Sequence, residues 1–195
     1  MTLSAHPRLQ DKLFIEILCN RHSVRDYTPD NPDADTIQTL LDAAVRAPTA
    51  KHEEPWAFVV IQNRETLKAL SEIAKPILYE RLAKSGGQAA NRFADPEFNI
   101  FHNAGTLIVI CGKGPAPYVP ADCWLAAENL MLTASALGLG TCVIGSAAET
   151  LNLPQVKDQL NITAEFQAIA PIIVGKPREA GLPGTRKPPQ ILSWK

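Results

Sequence analysis

Four near-continuous apolar runs constrain this chain more than anything else in it: Trp56–Ile61, Thr106–Cys111, the short Thr141–Ile144, and Ala168–Val174. Each has the length of a strand. A strand that is apolar at nearly every position, rather than at every second one, is covered on both faces. The cover is written between the runs. Within Leu9 to Asn20, Leu13, Phe14, Ile17 and Leu18 repeat at the spacing of one helix face. Ile37, Leu40, Leu41, Ala44 and Val45 form a second stripe, which Asp33 or Asp35 can cap and Pro48 stops. Asn63 can cap a third helix carrying Leu67, Leu70, Ile73 and Ala74, and Ala121 to Leu137 reads as a long fourth one ending at Gly138. Helices and strands interleave, which predicts a single domain over 1–195 built as a sheet layered with helices.

Two stretches stand outside this pattern. From Pro76 to Phe101 the periodicity weakens. Leu78–Leu82 and Gln88–Phe93 could be helical on either side of Gly86-Gly87, and the stretch reads as a surface insertion or lid. The tail from Gly175 carries prolines at 177, 183, 188 and 189, yet ends on Ile191, Leu192 and Trp194. It is too proline-rich to be a helix. Its large apolar groups suit wrapping a neighbouring subunit, with a solvent-exposed extension as the alternative.

Several function classes are excluded by composition and spacing. A chain of 195 residues removes roughly 70% of its unfolded surface from water, so it needs no disulfide or metal staple. Lys+Arg 19 against Asp+Glu 20 leaves a net charge of -1, which argues against a nucleic-acid partner. No basic-then-apolar leader opens the chain, and its apolar runs fall far short of the ~18 residues of a membrane helix. The expectation is a cytoplasmic protein with reduced thiols, Cys111 and Cys142 being small buried hydrophobes. No C-x-x-C pair occurs, and His6, His22, His52 and His102 lack ligand spacing, so no metal is expected. Gly138-Leu139-Gly140 opens like a dinucleotide fingerprint, but Val143 stands where its third glycine belongs and the run follows a helix. No G-x-S-x-G elbow is present.

Three polar constellations remain. Arg21-His22-Ser23-Val24-Arg25 sets two guanidiniums, an imidazole and a hydroxyl just past a helix. If extended, it projects Arg21, Ser23 and Arg25 to one face, where arginine forks suit a phosphate. Pro48-Thr49-Ala50-Lys51-His52-Glu53-Glu54-Pro55 is a stiff loop into the first strand, with Thr49 and His52 offering hydrogen bonds. The tail adds Arg186-Lys187-Pro188-Pro189. Taken singly, each is equally readable as a solvated turn or an ordinary loop.

Together they resemble the FMN-dependent nitroreductase family. Arg21 to Tyr27 is similar to that family's R-R-S-x-R-x-[FY]. Ala47-Pro48-Thr49 with Pro55-Trp56-Ala57-Phe58 is similar to its A-P-S-x-x-N-x-Q-P-W-x-F. Ala126 to Leu132 through Gly138-Leu139-Gly140-Thr141-Cys142 resembles its central helix and following strand, and Val174-Gly175-Lys176-Pro177 with Arg186-Lys187-Pro188 its closing segments. The resemblance implies an α+β, three-layer α-β-α fold with a mixed, mostly antiparallel sheet and a tail that wraps the partner subunit. It implies FMN at a homodimer interface. Arg21, His22, Ser23, Arg25, Pro48, Thr49, His52, Ile144, Gly145 and Arg186 are the candidate contacts. It further implies ping-pong hydride transfer from NAD(P)H, as transient reductant, to an electron-poor small-molecule acceptor such as a nitroaromatic, quinone or enone. The cofactor drives that chemistry, so no protein nucleophile is expected. His52 and Glu54 replace the more usual Asn and Gln, which keeps a non-catalytic flavin binder open as a second reading. The wording His52-x-Glu54-Pro55-Trp56 resembles the iodotyrosine deiodinase branch. The Glu-x-x-x-Tyr of that branch's substrate lid is absent between Pro76 and Phe101, so dehalogenation or flavin destruction is a minor alternative.

Overall fold

The computed structural model describes residues 9–84, 88–179, 181 and 184–195. Four strands, β1 (Trp56–Ile61), β2 (Thr106–Lys113), β3 (Gly140–Val143) and β4 (Phe166–Gly175), form one sheet in the order β1-β2-β4-β3. All three neighbouring pairs are antiparallel. A single parallel bridge, Ser23 to Thr141, adds the mixed element on the outer edge of β3.

Burial on two faces explains the continuous apolar runs of β2, β3 and most of β4, whereas the expectation fails for β1, which is half-buried with Val60 exposed. Along β2, Leu107, Val109 and Cys111 turn to one side, where they join Ile173 and the buried residues of α3 (Arg64–Ala83). Ile108 and Ile110 turn to the other, with Ile172 and Val174, against α2 (Ala34–Ala44) and α4 (Val119–Ala136). The result is the expected α-β-α sandwich, with α1 (Leu9–Asn20) lying against α4. Local chemistry sets the helix starts. The side chain of Asp33, not Asp35, accepts the Thr36 N–H at 2.8 Å, and Asn63 accepts that of Thr66 at 2.8 Å. Two short helices absent from the sequence reading, α5 (Ala148–Leu151) and α6 (Pro154–Gln159), link β3 to β4 and bury Leu151 and Val156.

The stretch 76–101 is not the surface insertion that its weak periodicity suggests. Helix α3 continues through Pro76 to Ala83, and Leu78, Phe93, Ile100 and Phe101 are buried in the core on that side of the sheet. The physical reason is Lys75, only 5% exposed. Its ammonium donates to the carbonyls of Asp95, Pro96 and Phe98, each at 3.2 Å, and pairs with Glu72 at 2.8 Å. A lysine thus supplies the hydrogen bonds that an irregular segment cannot make for itself. Gly86-Gly87 lies outside the described residues.

The tail is the other extreme. Residues 184–195 carry no helix or strand and are exposed, with Leu192 90% and Trp194 87% accessible. Cys111, Cys123 and Cys142 are buried free thiols, and Cys19 is exposed. Burial pushes the Cys111 thiol up to about 11 and Cys123 to about 12, so both stay protonated. No helix among the described residues is long and apolar enough to cross a membrane.

Candidate functional site

After α1 the chain runs extended along the free edge of the sheet. The Val24 N–H donates to the Thr141 carbonyl at 3.0 Å and the Thr28 N–H to that of Lys176 at 2.9 Å, while Tyr27 bridges to Pro177. Two glycines allow this approach. Gly140 and Gly175 face each other across β3 and β4. A Cβ on Gly140 would lie 2.6, 2.7 and 2.9 Å from three atoms of Val24, and one on Gly175 would lie 2.8 Å from the Tyr27 ring. Val24 and Tyr27 therefore fill the room that the glycines leave. The Tyr27 hydroxyl donates to the Val24 carbonyl at 2.6 Å, and burial holds this phenol protonated far above its usual range. Arg178 fastens the far end, donating to the Asp26 carboxylate at 3.1 Å and the Tyr27 carbonyl at 2.9 Å. With Val24 and Tyr27 turned inward, Ser23 and Arg25 are presented outward.

A cleft opens at each end of this strip. The first, about 370 Å³, is lined by Arg21, His22, the Gly138–Thr141 chain and Pro177. There the Arg21 guanidinium stands 3.5 Å from Glu128 of α4, and His22 Nδ1 lies 3.0 Å from the Asn20 carbonyl. The second cleft, about 280 Å³, lies past the end of β3 between Arg25, Ile144 and Gly145 on one side and Arg92, Phe98 and His102 on the other. Ile144 is fixed by its N–H donating to Pro171 at 2.8 Å, and a Cβ on Gly145 would meet nothing within 4 Å. The backbone there is open to a ligand. The His102 ring meets the edge of Phe98 at 6.0 Å. Burial first, then the positive charges of Arg25 and Arg92, hold its imidazole below the usual range.

Arg21, His22, Ser23, Arg25, Ile144 and Gly145 are thus gathered along one edge. Pro48, Thr49 and His52 are not with them. Thr49 accepts the Glu54 N–H at 3.4 Å, and the neighbouring Ala50 N–H reaches the Asp122 carboxylate in the first turn of α4 at 3.3 Å. Lys51, His52 and Glu54 all take positive φ, at 56°, 57° and 44°. This loop lines neither cleft. Arg186 is likewise apart, its guanidinium donating to the carbonyl of Thr185 at 3.1 Å. The sequence reading missed Arg92, Phe93, Phe98 and His102. The signal was present in the apolar Ile100-Phe101 just ahead of β2, which draws the preceding residues onto the core.

The architecture defines a class: a layered α+β protein presenting an arginine-rich strip and an open backbone turn at a sheet edge. The chain belongs to the nitroreductase family, whose model matches residues 18–176, and it is an oxidoreductase. It is 27% identical over 170 residues to an Archaeoglobus fulgidus protein provisionally named NADH dehydrogenase/NAD(P)H nitroreductase, covering 85% of this chain and 86% of that one. A nitroreductase from Bacteroides fragilis, solved with bound FMN, matches 93% of this chain and 97% of its own at 25% identity and a TM-score of 0.78. The iodotyrosine deiodinase of Thermotoga neapolitana is 22% identical over 137 residues, 67% of this chain and 72% of that protein.

Proposed function

We propose that this chain binds FMN along the 21–25 strip and, as a cytoplasmic homodimer, uses NAD(P)H to reduce electron-poor acceptors such as nitroaromatics, quinones and enones. One observation carries the reading. A guanidinium stands at each end of a glycine-seated strip, one per cleft, with the unobstructed Gly145 backbone beside the second. That donor set fits a ligand with a phosphate at one end and an electron-accepting ring at the other. The B. fragilis relative, with FMN bound, supports the same assignment.

Bound FMN would supply the hydride-transfer chemistry that links NAD(P)H to the acceptor. Arg21 and His22 would hold the phosphate, which carries about two negative charges at neutral pH and would draw Arg21 from its pairing with Glu128. Ser23 would hydrogen-bond the sugar chain. Arg25 would offset the negative charge that reduction places on the ring, which raises the reduction potential. The Gly145 N–H has no partner among the described residues and would donate to the ring. Pro48, Thr49 and His52, remote from their own clefts, suit delivery to the site of a second subunit, and the exposed tail with Arg186 suits an embrace of that subunit.

The test is the visible spectrum of purified protein before and after anaerobic NADPH. A yellow protein that bleaches is the expected result. Protein that stays colourless after soaking in FMN would overturn the reading, and bound flavin that no nicotinamide bleaches would replace it with a non-catalytic binder.

A further inference from the structure

The second cleft carries more positive charge than a flavin ring explains. Of the residues lining it, two are arginines and none is a carboxylate. Arg21, Arg81 and Arg178 each have an acidic partner, whereas Arg25 and Arg92 have none among the described residues. Among the described residues Arg25 is engaged only with the Ser23 carbonyl, at 3.5 Å. Arg92 lies over the faces of Phe93 and Phe98, 4.7 and 5.6 Å from their centroids, a stacking that orients its planar fork without occupying its N–H donors. Burial and the two arginines keep His102 neutral, so the charge of the cleft resides in the guanidiniums. Like charges facing one cavity repel, and in a chain of net charge -1 nothing global requires them. An anionic ligand turns that repulsion into attraction. The walls add shape: the accessible lining is more polar than apolar, and within it the half-buried Phe98 offers a ring beside the two arginines.

We propose that the second cleft is a specificity site for an electron acceptor bearing an anionic group, an aromatic or conjugated carboxylate, whose charge Arg92 binds while its ring lies among Phe93, Phe98 and the flavin. The inference rests on the flavin reading above but assigns a substrate class within it. The acceptor is the assigned source of the anion because Arg92, stacked on Phe93 and Phe98, lines the same cleft as the open Gly145 backbone, where the proposed flavin ring would lie.

Two matched pairs of probes test it. Calorimetry of the purified holoprotein with benzoate and benzamide reads binding without turnover. Steady-state reduction of 4-nitrobenzoate and 4-nitrobenzamide reads the same charge difference in kcat/KM. The expected result is a preference for both carboxylates of about tenfold at low salt, shrinking severalfold at high salt. Arg92→Met should lower both ratios about tenfold, Arg92→Lys should restore part of the loss, and flavin content should not change. Unchanged ratios in Arg92→Met would overturn the proposal, as would inorganic phosphate displacing benzoate as effectively as benzoate binds, which would mark a general anion site. Should NADPH fail to bleach the flavin, the functional reading falls, and the calorimetric ratios still decide the fate of Arg92.

Discussion

Val24 occupies the space where a side chain on residue 140 would be, and that close approach helps seat the strip that carries Arg21 and Arg25. The three Val24 atoms nearest the hypothetical Cβ belong to a buried, β-branched side chain with no flexible end to swing away. Gly140→Ala should therefore cost about 1–3 kcal/mol through overpacking. It should also push the strip off the sheet edge and weaken FMN binding. Thermal melting and flavin titration check both effects, and Val24→Ala in the same chain should recover part of each. His102 makes a second prediction at this scale. Its folded pKa lies below the ordinary 6.5, so between the two values the unfolded chain binds more protons than the folded one. Stability contributed by neutral His102 is present above 6.5 and is lost as pH falls through that value toward the folded pKa. His102→Asn keeps a residue type that tolerates φ of 51° and removes the titration. Its melting temperature should fall less steeply from neutral to mildly acidic pH than that of the parent, and equal slopes would show that other groups dominate.

At the scale of elements, order beside the second cleft draws on α3, where the Lys75 ammonium donates to three carbonyls and the Ser71 hydroxyl accepts the Ile100 N–H at 3.1 Å. Lys75→Met keeps the length of the side chain but leaves the carbonyls of Asp95, Pro96 and Phe98 without their donor. The expected cost is about 1–3 kcal/mol. Hydrogen exchange should rise locally over 94–99, where Phe98 forms a wall of the cleft. Exchange that rises uniformly over the whole chain would instead mean a global effect. The same lysine explains what the sequence discloses and what it conceals. Strands β2 and β4 are legible because burial on both faces removes polar residues from the run itself, and β1, half-buried with Val60 exposed, is legible from its aromatic and β-branched run. Helices α2 and α3 announce their starts through Asp33 and Asn63, whose side chains act within three residues. The run 95–98 is illegible because its order draws on Lys75, twenty residues before Asp95 and of a type normally solvated. The site divides in the same way. Arg21 to Arg25 is a contiguous string and can be read. Arg25, Arg92 and His102 meet only after the sheet edge and the segment before β2 come together, and no local spacing encodes that meeting.

For the whole molecule, the question is what covers the apolar surface that one chain leaves in water. Leu13, Phe14 and Leu18 of α1, Trp124 and Leu125 of α4, and Ile191, Leu192 and Trp194 of the tail are all exposed. Lone apolar side chains on a surface are ordinary, but sets of this size on α1, α4 and the tail are what a permanent subunit interface would bury, typically ~2,000–5,000 Å². The three unburied tail groups also show that the extension gains no hydrophobic stabilisation within its own chain. In the proposed dimer a partner would supply that gain and, in the same geometry, would receive Thr49 and His52 at its flavin. Removing residues 184–195 should therefore leave the four-stranded sandwich folded, because none of its buried core lies in that segment. It should also weaken the dimer and lose FMN, through the missing apolar cover and the missing Arg186. Circular dichroism, light scattering and flavin absorbance on the truncated chain separate these effects. An intact yellow dimer would remove the tail from both roles, and a folded dimer without flavin would confine its part to Arg186 and the cofactor.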